Sequence, residues 1–174
     1  MTPGVSRKRD RNGLTLRNLI VALGALVVVF LLITAVKVYS PSYQLRKSFD
    51  RLIHLTEQRN WAKFQNLLST DYKDSWGYNR VDATSMASEI FRQFFAVTIH
   101  RSDETYSIDG KSGTVTARLK LEGNGTPMAQ EAVRYVNALK SEFRFDWRRE
   151  SWAPWSWKLV SITQPETQDL PETQ

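Results

Sequence analysis

The sequence predicts an α+β fold: an N-terminal transmembrane helix, then about three helices packed on an antiparallel β-sheet. Three observations carry this reading. Residues 19–36 form an unbroken run of 18 uncharged residues, thirteen of them Leu, Ile, Val or Phe. Apolar residues then recur at helical spacing through three segments between Tyr43 and Phe95. After Ala96 the apolar period drops from about 3.6 to 2, the change from helix to half-buried strand.

The first run has no polar face, which a helix of a soluble core would need. At roughly −0.4 kcal/mol per large apolar residue its insertion is worth about −5 kcal/mol. As a helix it spans about 27 Å, close to the hydrocarbon thickness of a bilayer. A cleaved signal peptide is the competing reading, but its apolar region is shorter and ends in a small-residue cleavage site, which is absent here. Residues 1–39 carry six basic groups and one acid, and the other 135 residues carry 18 and 17, out of a net charge of +6. The positive charge therefore orients the span, with the N-terminus in the cytoplasm and the domain outside, periplasmic or extracellular. It gives the main domain no basic surface for nucleic acid. The chain accordingly divides into a basic cytoplasmic arm (1–18), a transmembrane signal anchor (19–38), a domain (40–163) and a disordered tail (164–174).

Within the domain, Ser40-Pro41 reads as an N-cap with proline at the first helical position. Leu45, Phe49, Leu52, Ile53 and Thr56 form the apolar face of an amphipathic helix to about Gln58. Asn60 caps a shorter helix with Trp61, Phe64, Leu67 and Leu68, ending near Ser69, and the stretch from Tyr72 to Tyr78 is irregular. Asp82 caps a third helix whose face holds Met86, Ile90, Phe91, Phe94 and Phe95. Strands follow over 97–109 and from Thr114, joined by a Gly-Lys-Ser-Gly turn, and Gly123-Asn124-Gly125 breaks the chain. Pro127 to Leu139 has the pattern of a helical turn or two. Phe143, Phe145 and Trp147 alternate with charged residues, and Trp155, Trp157 and Leu159 alternate with polar ones, so these six share one face of a hairpin. Trp152 falls in the turn between them, where an exposed indole marks a partner or membrane contact.

Two local patterns resemble a known superfamily: the stretch from Glu57 to Leu68 (EQRNWAKFQNLL) and the closing strand from Trp157 to Ile162 (WKLVSI). With the order of elements, they make Tyr43 to about Thr163 similar to the nuclear transport factor two-like cone, also called SnoaL-like or cystatin-like. The resemblance implies a cone of helices on a curved sheet and a pocket inside it. It leaves the activity open, because this superfamily includes isomerases, hydrolases, dehydratases, ligand binders and scaffold subunits. In its enzymes a pocket Asp with His, Tyr or Arg serves as acid and base.

The residues for such chemistry are few. The chain has no cysteine and two histidines, His54 and His100, with no local ligand cluster for a metal. No phosphate loop, dinucleotide fingerprint or nucleophile elbow is present. Tyr72, Trp76, Phe91, Phe95 and His100 are the candidate pocket-lining residues, with Tyr72, Asp74 and Asp82 as partners for His100. The plain alternative has Asp82 capping a helix, Asp74 solvated and His100 paired on an exposed sheet face. No catalytic residue, metal or cofactor is assigned, and an enzymatic role is disfavoured. The leading expectation is a single-pass protein displaying its domain for interaction or assembly in the cell envelope. Its partners are the lipid bilayer through 19–38 and an envelope protein or a second copy, and Trp152 is the candidate contact. The alternatives are binding of a hydrophobic small molecule in the cone and an isomerase or dehydratase centred on His100. A pocket packed shut by aromatics separates the first from the others.

Overall fold

The computed structural model describes residues 16–153 and 155–167, with the backbone alone for 16–19, 35, 37 and 38. The expected cytoplasmic arm up to residue 15 and most of the expected disordered tail lie outside the described residues. The chain forms two compact units, one ending at Val38 and one beginning at Tyr39.

The first unit holds helix α1 (Leu16–Tyr39). Every large apolar side chain described in it, from Ile20 to Phe30 and on to Val36, is exposed. The Thr34 hydroxyl donates back to the Phe30 carbonyl at 2.8 Å. Among the described residues no helix is long and apolar enough to cross a membrane.

The second unit is α+β. Helix α2 (Pro41–Glu57) starts at proline and buries Leu45, Phe49, Leu52 and Ile53, as the spacing predicts. Ser40 precedes it in extended geometry, but its side chain makes no capping bond. Asn60 does cap α3 (Trp61–Gln65), accepting from the Lys63 amide at 3.3 Å. That helix ends four residues earlier than expected, because residues 67–75 are drawn along the edge of the last strand. Helix α4 (Arg80–Arg92) is capped by Asn79, whose side chain accepts from the amides of Val81 and Asp82. Asp82 lies inside the first turn and accepts from the Asn79 side-chain amide at 2.6 Å, so the cap sits three residues before the expected one.

One antiparallel sheet follows, in the order β1 (Phe94–Asp109), β2 (Ser112–Gly125), β3 (Phe143–Arg149) and β4 (Trp157–Thr163). The first strand starts three residues early, directly after α4. Strand alternation then sends Phe94 and Phe95 to opposite faces, where one helical face had been expected. Gly123-Asn124-Gly125 does not break the chain: the three residues pair with Val97, Ala96 and Phe94. A Cβ at Gly123 would sit 2.5 Å from the Ala96 carbonyl oxygen, and one at Gly125 2.3 Å from that of Gln93. Glycine here permits close backbone approach within a strand. Helix α5 (Pro127–Ala138) forms where a helical turn or two was expected, with Thr126 capping it through the Ala129 amide. It covers the part of β2 that β3 does not reach, where Asn137 bonds both the amide and the carbonyl of Leu121.

The other edge is closed by the chain between α3 and α4. Leu159 donates to the Leu67 carbonyl, and Ser69, Lys73 and Ser75 donate to the carbonyls of Leu159, Val160 and Ile162, at 2.8–3.1 Å. An edge strand is thereby given partners of its own chain. The core lies between α2 and the sheet: Leu45, Phe49 and Leu52 meet Val115, Ala117, Phe145, Trp147, Trp157 and Leu159. Trp155 departs from the alternation expected of it. Strand β4 begins only at Trp157, so Trp155 belongs to the turn and is 68% exposed.

Candidate functional site

The five residues expected to line a pocket are not brought together. Tyr72 is buried in the core, while Trp76 is partly exposed and donates its indole N–H to the Thr167 hydroxyl at 2.9 Å. Phe91 is half-buried, its ring 5.9 Å from that of Trp61 and 5.8 Å from that of Phe94. Phe95 points outward and is 77% exposed. His100 is also on the outer face, where its Nε2 lies 2.8 Å from the Glu122 carboxylate, both side chains being exposed. Thus Phe95 and His100 leave the expected interior site, and neither Tyr72, Asp74 nor Asp82 is a recorded partner of His100. The register explains this. His100 stands opposite Lys120, one position from the Ile99–Leu121 pair, and Ile99 is the residue that turns inward to the core.

The interior polar group is instead Asp74. It is buried, and its Oδ1 accepts from the amides of Trp76 at 3.0 Å and Tyr78 at 2.8 Å. The Tyr72 hydroxyl donates to Oδ2 at 3.3 Å. Burial raises the Asp74 carboxyl above its ordinary value against the pull of these bonds. Burial likewise raises the Tyr72 phenol, and the neighbouring charge of Asp74 adds to it. Gly77, at φ +88°, completes the tight turn that wraps the carboxylate. The pair holds the 72–78 loop in shape, and the solvated role expected for Asp74 is replaced by a buried structural one.

A second polar group joins distant parts of the chain. Arg148, on β3, donates to Asp71 at 2.7 Å and to the buried Ser69 hydroxyl at 3.0 Å, and that hydroxyl, with one proton to give, lies within hydrogen-bond distance of both Asp71, at 2.6 Å, and Glu150. The bond from Arg148, then that from Ser69, holds the Asp71 carboxyl far below the usual carboxylate range. With Asp71 and Arg148 separated by 77 positions in the chain, no local spacing announced this network.

Among the described residues, two concavities that stand on the surface are open. One of about 370 Å³ lies over the outer face of β1 and β2, lined by Ala96, Thr98, His100, Glu122 and Asn124. The other, about 390 Å³, lies by α3 and α4 between Trp61, Gln65, Thr84, Ser88 and Glu89. Neither enters the core. There the Phe49 ring lies 4.9 Å from that of Phe145, and Trp147 and Trp157 are 2% and 1% exposed. Among the described residues no group of three or more His, Cys, Asp or Glu is placed to hold a metal ion.

This architecture is that of solved proteins of the nuclear transport factor two-like kind. A candidate dehydratase of that family from Streptomyces avermitilis is 13% identical with a TM-score of 0.52, over 70% of this chain and 93% of that one. A type 2 hexachlorocyclohexane dehydrochlorinase, LinA, is 10% identical with a TM-score of 0.51, over 68% and 79%. Bd1075 of Bdellovibrio bacteriovorus is 10% identical with a TM-score of 0.53 over 68% of this chain, which spans only 38% of its length. No family model matches the sequence, and no curated protein matches it. The domain therefore has the nuclear transport factor two-like fold. At such identities the likeness is one of fold alone.

Proposed function

We propose that the chain is a single-pass membrane protein that displays a nuclear transport factor two-like domain outside the cytoplasm for protein interaction or assembly in the cell envelope. The observation that carries the interaction role is the packed interior: Phe49, Phe145, Trp147 and Trp157 are buried together in one core cluster between α2 and the sheet. The tether is supported by the apolar run over 19–36 and by the exposure of every large apolar side chain described in α1, a surface that water does not favour. The test uses the full chain. A C-terminal alkaline phosphatase fusion should be active, the protein should resist carbonate extraction at full mass, and a photo-crosslinker on the domain surface should trap an envelope protein or a second copy. A shorter, soluble form would remove the tether.

A second reading is favoured by the buried Tyr72–Asp74 pair and by the dehydratase and dehydrochlorinase among the similar folds. Here the domain would be a SnoaL-like lyase that opens its interior to bind substrate. Its mark would be turnover abolished by Tyr72→Phe without loss of the fold.

A further inference from the structure

The turn between β3 and β4 holds its two tryptophans out in water. Trp152 is 88% exposed and Trp155 68%. Yet the turn is built firmly. Glu150 donates its amide to the Ser156 carbonyl at 3.1 Å, and Ser151 donates to the Ser156 hydroxyl at 3.1 Å. That hydroxyl lies 2.7 Å from the Ala153 carbonyl, and the Ala153 amide donates to the Ser151 hydroxyl at 3.2 Å. Such bonding ties down the chain that carries the two indoles, which lowers the ordering cost of a contact there.

The register shows which end of the domain this is. Arg149 pairs with Trp157, so the turn extends past the end of the sheet where β1 and β2 also reverse. There the Arg149 amide donates to the Lys111 carbonyl at 2.8 Å. The start of α2 reaches the same end, since a Cβ on Gly113 would lie 2.8 Å from Leu45 and 3.0 Å from Trp157. From Leu45 the helix runs away from the turns. Phe49 meets Phe145, and Glu57 at its far end accepts from the Ile99 amide at 2.8 Å. Followed backwards, α2 therefore rises about 6 Å beyond Leu45 to Pro41, on the side of the indoles. One residue, Ser40, separates it from the last residue of α1. Tyr39 and Tyr43, on either side of that joint, are exposed as well.

We infer that Trp152 and Trp155 form a second membrane contact, seating the domain on the lipid headgroup region beside the point where its anchor enters. This rests on the tether proposed above. Tryptophan and tyrosine favour the bilayer interface, where an apolar ring and a polar edge are both accommodated. The exposed charges at this end, Arg46, Lys47, Asp109, Lys111 and Glu150, are of both signs. The contact is therefore one of aromatic insertion, and anionic lipid is no requirement.

The cysteine-free chain suits single labels. Full-length protein is placed in vesicles of equal parts phosphatidylcholine and phosphatidylglycerol. An environment-sensitive fluorophore is attached at Lys111→Cys beside the turn, at Gln130→Cys on the opposite end, or at Val28→Cys in α1. Spin-labelled lipids at headgroup depth should quench the label at 111 and leave that at 130 bright, and deep spin labels should quench that at 28. Trp152→Ser with Trp155→Ser should abolish quenching at 111 while leaving the label at 28 and the melting temperature unchanged. Quenching at 28 without quenching at 111, or quenching at 111 that survives the double variant, overturns the contact and leaves the tether standing. A bright label at 28 in carbonate-extractable protein overturns the tether and the contact with it. A photo-crosslinker at Trp152 that captures protein in place of lipid assigns the turn to a protein partner and also overturns the inference.

Discussion

Four tryptophans within eleven residues meet two opposite fates. Trp147 and Trp157 are sealed between α2 and the sheet, and Trp152 and Trp155, a few residues away, stand in solvent. The same side chain holds the fold together in one place and is free to bind in the other. What separates them is the reach of the sheet: pairing fixes a residue's face, and beyond the last pair at Arg149 and Trp157 nothing turns an indole inward. The contrast extends to the acids. Asp74 is enclosed by two amides and a phenol, whereas Glu122 meets His100 in the open.

Breaking the buried half should have the largest effect. Trp147→Ala or Trp157→Ala should each cost about 3–5 kcal/mol, a large part of the 5–15 kcal/mol that holds a typical domain. Urea titration would read it. A loss close to that of the turn variants would erase the distinction between the two pairs. Gly125→Ala comes next. The added methyl would meet the Gln93 carbonyl oxygen and the Ala129 side chain, and overpacking of this kind costs about 1–3 kcal/mol. An unchanged midpoint would show that the strand there parts easily.

The Asp71 network sharpens the comparison by pH. Its carboxyl is held below the ordinary value of 3.8 in the fold, so its contribution is present above that value and lost as pH falls towards the folded one. The urea midpoint of the native chain should fall below about pH 4, and Asp71→Asn should flatten that acid limb. Asp74 acts in the opposite sense. Burial raises its carboxyl, so its contribution is present at low pH and lost as pH rises through the raised value. Parallel acid limbs in the native chain and Asp71→Asn would remove the Arg148 bond from the stability account.

The smallest effects belong to the exposed half. Trp152→Ala and Trp155→Ala should each move stability by less than about 0.5 kcal/mol. Glu122→Gln should cost no more than about 1 kcal/mol, as an exposed ion pair contributes little. Thermal melts of the three variants would check this. A substantial loss at Trp152 would return the turn to the packing of the domain.

The elements were readable because their signals are local. The apolar faces of α2 and β3, the proline and Asn60 at helix starts, and the alternation around Trp157 each need only a few neighbouring residues. Phe95 shows where that stops. Its spacing continues the α4 face, but the chain has already entered a strand, and one residue of register decides between core and water. The glycines at 123 and 125 misled for a related reason. Glycine marks a turn as readily as a close approach between strands, and only the partner strand distinguishes them.

By itself, then, the sequence determined the apolar helix, the order of helices and strands and the buried identity of Trp147 and Trp157, since hydrophobic periodicity is written in consecutive residues. The tertiary structure decided that the interior is filled, that Asp74 is buried and His100 exposed, that Arg148 reaches Asp71, and that the indoles of the turn share an end of the domain with the start of α2. Each of these joins residues far apart in the chain, and the distance between them is set by packing and register, which no local pattern encodes.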